Sequence, residues 1–304
     1  MGDTIALVAP ASWCDGFDET SAALKKRGFQ VKLPSNFEER FGYLAGTDEE
    51  RAQALMEAWK APEVKAIWCI RGGYGSGRIL NLLDYDYIRD HPKIFIGMSD
   101  ITALHMALMQ KAGLITFLGP VAKWTFDPTK KTKILEQGIW NIISEGKTGV
   151  YENPLACKTI VGGKGEGVLV GGNLSLISAH IGTQWQLDTA GKILILEDVG
   201  EKVYRVDRML NQLRQTGMVD NLAGLILASW KDCEPDMEGG WTVEKICRDY
   251  FYDASYPVIL GFPSGHIGAQ VTLPLNCRYA LDGNAGKVEL LEPGVAYKKL
   301  LSNQ

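Results

Sequence analysis

The feature that most constrains this chain is an alternation in its first half: short apolar runs, each followed by a helical pattern. Ile5-Ala6-Leu7-Val8 precedes a helical stretch from Asp18 to Arg27 that stops at Gly28. Gln30 to Leu33 precedes a helix from Asp48 to Trp59, opened by a Thr47 cap. Val64 to Ile70 runs into a glycine loop and then a helix from Ser76 to Leu83. Ile94 to Ile96 meets Ser99, after which Ile101, Leu104, Leu108 and Met109 mark one face of a helix reaching Gln110. Near-continuous apolar strands separated by helices are what a parallel sheet covered on both sides requires. In such sheets ligands bind beyond the carboxyl ends of the strands, where the loops after Ile70 and Ile96 lie.

From Tyr151 the texture changes. Gly162-Gly163-Lys164-Gly165-Glu166-Gly167 reads as a turn-rich connector, and the elements after it are less regular. Val168 to Val170, Ile193 to Leu196, Leu225 to Ala228, Val258 to Leu260, Val271 to Leu275 and Lys287 to Leu291 read as strands. Asn173 to Ile181 and Val203 to Gln215 read as helices, with Asn173 either a pocket residue or a plain N-cap of the first. The expected organisation is an N-terminal domain over 1–150, a linker over 151–167 and a mixed C-terminal domain over 168–304.

Composition removes several function classes. With 304 residues, 46% of them hydrophobic and 22% charged, the chain is long enough for one large core or two medium ones. A formal charge of −4 supplies no basic field for nucleic acid. No window approaches the roughly 18 apolar residues of a membrane span, and the N-terminus reads as a strand rather than a signal peptide. The six cysteines are scattered without a C-x-x-C or a Cys/His cluster, which points to reduced thiols in a cytoplasmic protein and to no metal site.

Four places carry chemistry. Gly97-Met98-Ser99-Asp100 puts a serine on a strand-to-helix turn, which exposes its hydroxyl and aims N–H groups from the helix start. It is not G-x-S-x-G, since Ile101 fills the last position, and a plain helix cap is the alternative. Arg71-Gly72-Gly73-Tyr74-Gly75-Ser76-Gly77-Arg78 has neither a dinucleotide nor a P-loop spacing. It suits close backbone approach to an anion, with Gly73 and Asp100 N–H as oxyanion donors. Glu197 ends an apolar strand, placed to orient a histidine, with Asp198 as its competitor. Of the four histidines, His91 sits in a polar turn and His105 and His180 in helices. His266, in a glycine-rich loop between strands, is the choice for general base.

Taken together, Arg71-Gly72-Gly73-Tyr74-Gly75, Gly97-Met98-Ser99-Asp100, Gly171-Gly172-Asn173-Leu174, Leu196-Glu197-Asp198, Tyr204-Arg205-Val206-Asp207-Arg208 and Gly265-His266 with Thr272-Leu273-Pro274-Leu275 resemble the LD-carboxypeptidase family. The resemblance spans nearly the whole chain, in order. It implies an α/β fold: a flavodoxin/Rossmann-like parallel-sheet domain carrying the serine, and a mixed α/β domain carrying glutamate and histidine. It further implies a Ser99–His266–Glu197 triad, no cofactor or metal, a cytoplasmic homodimer, and a small peptide substrate. The implied reaction releases terminal D-alanine from murein tetrapeptides during cell-wall recycling. Arg71, Gly72, Asn173, Tyr204 and Arg205 are expected to contact substrate, with Arg71, Arg205 or Arg208 reading the leaving group's carboxylate. Two alternatives stay open. Microcin-immunity members of the family cleave aminoacyl-nucleotide analogues and would need an aromatic platform, for which Trp124, Trp185, Trp230 and Trp241 are candidates. A non-catalytic binding protein on the same scaffold would not need all three triad groups.

Overall fold

Parallel strands can be joined only by crossovers long enough to hold a helix, and the first half of the chain supplies one after most of its apolar runs. The computed structural model describes residues 2–127, 129, 133–151, 156–235, 237 and 239–296. Its first half runs β1 (Thr4–Val8), α1 (Phe17–Lys26), β2 (Gln30–Lys32), α2 (Asp48–Lys60), β3 (Val64–Cys69), α3 (Tyr85–Asp90), β4 (Ile94–Gly97), α4 (Thr102–Ala112) and β5 (Thr116–Leu118). These strands lie in the order β2-β1-β3-β4-β5 and are all parallel. That is the flavodoxin-like order, whose ligand crevice opens between β1 and β3 at their carboxyl ends. Ile67, Trp68, Phe95 and Ile96 are fully buried, as strands covered on both faces must be. Helix α2 starts on a capping box: Thr47 Oγ1 accepts from Glu50 N at 3.2 Å and Glu50 Oε2 from Thr47 N at 2.7 Å, worth about 1 kcal/mol.

The chain continues through α5 (Ala122–Phe126), α6 (Lys133–Ile143), β6 (Gly149–Val150), β7 (Lys158–Val161), β8 (Lys164–Asn173), α7 (Leu174–Ala179), β9 (Ile193–Val199), α8 (Val203–Gln215), β10 (Gly224–Lys231), α9 (Val243–Phe251), β11 (Val258–Leu260), β12 (Leu273–Leu275), β13 (Arg278–Asp282) and β14 (Lys287–Leu290). Eight of these strands form a second sheet in the order β6-β14-β13-β8-β9-β10-β11-β7. Strands β8 to β11 are parallel at its centre, with antiparallel strands on either side. The mixed second α/β unit expected from the sequence is therefore present.

Three local features differ from the sequence reading. Strand β12 leaves the second half of the chain and pairs antiparallel with β5, Leu273 opposite Leu118, as the sixth strand of the first sheet. The stretch 151–167 read as linker holds β7 and the start of β8. Gly165 and Gly167 are strand glycines chosen for space: a Cβ on Gly165 would fall 1.8 Å from Ala223 O, and one on Gly167 3.0 Å from Gly191 O. Of that stretch, residues 152–155 lie outside the described set, as do 297–304 of the expected second domain. Finally, Ser76 to Leu83 is two short 3₁₀ turns, Ser76–Arg78 and Leu80–Leu82, rather than one helix.

Candidate active site

Ser99 sits where β4 turns into α4. Gly97 ends the strand without a side chain because a Cβ there would meet Ile101 Cγ2 at 2.7 Å. Met98 is extended, and Ser99 then takes φ 65°, followed by a 3₁₀ turn over Ser99–Ile101. A left-handed backbone costs a residue with a Cβ roughly 1–2 kcal/mol. A strained serine held on a strand-to-helix corner is the geometry of a nucleophile elbow, reached here without the G-x-S-x-G sequence. The loop after β3 lies against it: a Cβ on Gly72 would come within 2.9 Å of Ser99 Cβ and 3.2 Å of Ser99 Oγ.

That same loop presents Gly73 at φ 101° with Ser12 packed beneath it, so close that a Cβ on Gly73 would overlap Ser12 Oγ. Neither Gly73 N–H nor Asp100 N–H meets an acceptor among the described residues. The Asp100 side chain is itself occupied. Its Oδ2 accepts from Ser76 N at 2.7 Å and its backbone carbonyl from Ser76 Oγ. Asp100 thus ties the glycine loop to the serine turn, and the backbone N–H groups of Gly73 and Asp100 stay without an acceptor among the described residues.

The partner groups come from β9 of the second sheet and from the loop that leaves β11 for β12. Glu197, near the end of β9, is fully buried, and its Oε2 accepts from His266 Nδ1 at 2.7 Å. The His266 side chain is 11% exposed. With the proton on Nδ1, the Nε2 lone pair is the one left for proton transfer. Gly265 permits this closeness, since a Cβ there would lie 2.5 Å from both Glu197 Oε2 and Ser229 Oγ. Asp198, the competing carboxylate, turns elsewhere, accepting from Ser175 N at 2.9 Å, Ser175 Oγ at 2.7 Å and Val199 N at 2.8 Å. Burial raises its pKa above the ordinary carboxylate value, against the opposing pull of the Ser175 hydroxyl.

Two contacts bring the two sheets' groups to one edge. Asn173, opposite Glu197 in the β8–β9 register, receives Thr102 of α4: Asn173 N donates to Thr102 Oγ1 at 3.0 Å. The Trp124 ring of α5 stands edge-on to His266, centroids 5.8 Å apart, while Lys123 N beside it donates to Ile70 O at 3.3 Å. His266 therefore faces the carboxyl edge of the first sheet, where Ser99 lies. Ser99 Oγ makes no hydrogen bond with a described residue, His266 included. Contacts of this kind are often long in the free enzyme and tighten with substrate.

The remaining sequence candidates sort by environment. His105 is buried beneath the serine turn, its Nε2 donating to Gly97 O at 2.9 Å, and burial lowers its pKa to about 4. His180 closes α7 through Leu176 O, and His91 stacks on Tyr87 at the surface. For Asn173 the sequence leaves a substrate contact and a helix cap open. The asparagine is 4% exposed and caps α7, its amide donating to Asp198 Oδ1 at 2.9 Å and Glu197 Oε1 at 3.3 Å. Arg71 is exposed beside the glycine loop and donates to Trp13 O at 2.8 Å. Tyr204 is exposed on α8, flanked by Arg205 and Arg208, with Arg205 paired to Glu201. Trp124, Thr102 and Ser12 took no part in the sequence argument for the triad. Their importance lies in contacts between distant loops, which local patterns do not encode. Among the described residues no cluster of three or more His, Cys, Asp or Glu side chains is arranged to hold a metal ion.

Comparison with known proteins adds to this geometry. Residues 5–119 match the family described as LD-carboxypeptidase N-terminal domain, and residues 166–281 its C-terminal domain counterpart. The probable murein peptide carboxypeptidase of Bacillus subtilis is 38% identical over 97% of this chain and 93% of its own length. The crystal structure of muramoyltetrapeptide carboxypeptidase from Oxalobacter formigenes superposes with TM-score 0.81 at 32% identity, over 94% of this chain and 97% of that one. Microcin C7 self-immunity protein MccF in complex with aspartyl sulfamoyl adenosine superposes with TM-score 0.89 at 26% identity, over 97% and 98% of the two chains.

Proposed function

The chain belongs to the LD-carboxypeptidase family of serine peptidases, and we propose that it releases the terminal D-alanine of a murein tetrapeptide through a Ser99–His266–Glu197 triad. The observation that carries this reading is the 2.7 Å bond between fully buried Glu197 and His266 Nδ1. A buried carboxylate on Nδ1 fixes the tautomer a general base needs and stabilises the imidazolium that follows.

In the proposed reaction His266 Nε2 takes the Ser99 proton as Oγ bonds to the carbonyl carbon of the L-centre. The carbonyl oxygen gathers the negative charge and is held by Gly73 and Asp100 N–H. Collapse breaks the C–N bond while Nε2 returns the proton to the departing amine of D-alanine, leaving an ester on Ser99. Water then attacks that ester, again with His266 as base, and frees the shortened peptide. Arg71, exposed beside Gly72 and Gly73, is the proposed partner of the leaving carboxylate; Arg205, engaged with Glu201, is the less available cation. We further propose a cytoplasmic homodimer acting in cell-wall recycling, with the domain division at 150–167. Among the described residues no helix is long and apolar enough to cross a membrane.

A second reading, hydrolysis of aminoacyl-nucleotide analogues, draws on the likeness to MccF and on the Trp124 ring beside His266. One experiment separates the two: the protein is incubated with a murein tetrapeptide and with an aminoacyl-sulfamoyl adenylate, and products are read by mass. D-alanine release that survives chelator and is lost in Ser99→Ala is the expected result. Adenylate cleavage without D-alanine release would overturn the primary reading.

A further inference from the structure

Beneath the two loops that form the oxyanion side lies a buried cation. Arg51, in the first turns of α2, is 1% exposed. Its Nη1 donates to Pro10 O at 2.6 Å, in the loop after β1, and to Gly75 O at 2.8 Å, in the loop after β3. Its Nη2 pairs with Asp48, which also receives Arg78 Nε at 2.9 and 3.0 Å from the far side of the glycine loop. A buried charge is expensive, and an apolar side chain of similar volume is often as good for stability. What an apolar replacement could not do is hold two carbonyls from different loops in one planar fork.

Those two carbonyls bracket the proposed oxyanion donor. Two residues after Pro10, Ser12 N donates to Gly72 O at 3.3 Å and Ser12 Oγ accepts from Tyr74 N at 3.0 Å. Ser76 N, next to Gly75, is held by Asp100. Residues 72, 74, 75 and 76 are each pinned by a hydrogen bond, and Gly73 N–H between them is left free. Gly75 has no room to drift, because a Cβ there would lie 3.1 Å from Arg51 Nη1 and 2.5 Å from Leu44 Cδ2. We infer that Arg51, oriented by Asp48, is a positioning residue that sets the Gly73 N–H against Ser99. This inference rests on the serine-hydrolase reading.

The test measures the rate at which a fluorophosphonate probe labels Ser99, because the probe's phosphoryl oxygen needs the same donors and no peptide substrate is involved. Losing a donor outright costs roughly 10²–10³-fold, and a displacement of about 1 Å near 10²-fold. Arg51→Met is therefore expected to slow labelling by roughly 10–100-fold. Arg51→Lys, which keeps the charge but not the fork, should fall between it and the wild type. Arg89→Met, removing an exposed arginine on α3, should label at the wild-type rate. The pH dependence of labelling should stay that of the wild type in all of them, since no hydrogen bond or ion pair of Arg51 or Asp48 reaches Glu197 or His266. Arg51→Met that melts as a folded protein and labels within twofold of wild type would overturn the inference. Should Arg51→Met fail to fold, Asp48→Asn carries the test: slower labelling supports the inference and an unchanged rate overturns it. Wild-type protein that is not labelled on Ser99 would instead refute the hydrolase reading itself.

Discussion

Replacing Glu197 by glutamine keeps volume and shape, removes the negative charge that would face an imidazolium, and leaves one acceptor oxygen in place of two. In the native site Oε2 accepts from His266 Nδ1 at 2.7 Å and Oε1 accepts from Asn173 Nδ2 at 3.3 Å. An amide has one oxygen, so Glu197→Gln must turn its NH₂ toward one of these two donors. Facing Asn173, it sets two N–H groups against each other in a fully buried spot, a conflict of about 1–3 kcal/mol. Facing His266, it becomes a donor, and the imidazole answers by moving its proton to Nε2, where no lone pair remains to take the Ser99 proton. The second arrangement satisfies every buried group and is the one the variant should adopt. The removal of a triad carboxylate by this route costs roughly 10⁴ in turnover in well-characterised serine proteases, about 5.4 kcal/mol of barrier at 1.36 kcal/mol per decade. The assay is kcat and KM for D-alanine release from a murein tetrapeptide, with a thermal melt to confirm folding. KM is expected to stay near wild type because Glu197 has no exposed surface for substrate to touch. A folded Glu197→Gln enzyme keeping more than a tenth of wild-type kcat would refute the tautomer argument, and with it Glu197's place in the triad.

Further expectations follow from the same geometry. Ser99→Gly relieves the φ of 65°, so its midpoint of urea unfolding should rise by the equivalent of up to about 1 kcal/mol while D-alanine release is lost. Gly265→Ala drives a methyl into Glu197 Oε2 and Ser229 Oγ at a φ of 106°, and should lower kcat by roughly 100-fold through displacement of the carboxylate, measured in the same assay. His105, with its pKa lowered by burial to about 4, is neutral in the native state while the unfolded chain gains its proton below about 6.5. Its contribution is therefore full above pH 6.5 and drains as pH falls toward 4. That loss is about 3 kcal/mol in all, and urea titrations at pH 7 and 4.5 should show a shallower drop in His105→Gln than in wild type.

Much of this arrangement was legible in the sequence, for identifiable physical reasons. A carboxylate after four apolar strand residues, a serine between a strand and an apolar helix, and a histidine among glycines are local signals, and the structure puts all three at element ends or in loops. The Asn173 cap was also local, since an N-cap needs only its own helix. What resisted reading was partnership. The Leu273-Pro274-Leu275 run announces a strand but not that its neighbour is Thr116–Leu118 in the first sheet. The glycines at 165 and 167 look like turn formers until Ala223 and Gly191 are seen pressing on them. Ser76 to Leu83 has helical spacing, yet Gly75 at φ 125° and the Asp100 tie hold its start in a 3₁₀ turn.

Partnership is also what separates Glu197 from Asp198. Neighbours on one strand carry the same chemistry, and no local pattern says which of them meets the histidine. The choice is made by Gly265, whose missing side chain lets the His266 loop close onto Glu197 Oε2, and by Ser175, whose N–H and hydroxyl draw Asp198 toward the start of α7. Asn173 then bonds to both carboxylates at once, so the two acids are set as a unit. Its backbone N–H reaches across to Thr102, three residues beyond Ser99. A single asparagine thus registers the carboxylate of one sheet against the Ser99 turn of the other. That explains why it is buried, and why the proposed site needs both sheets in place.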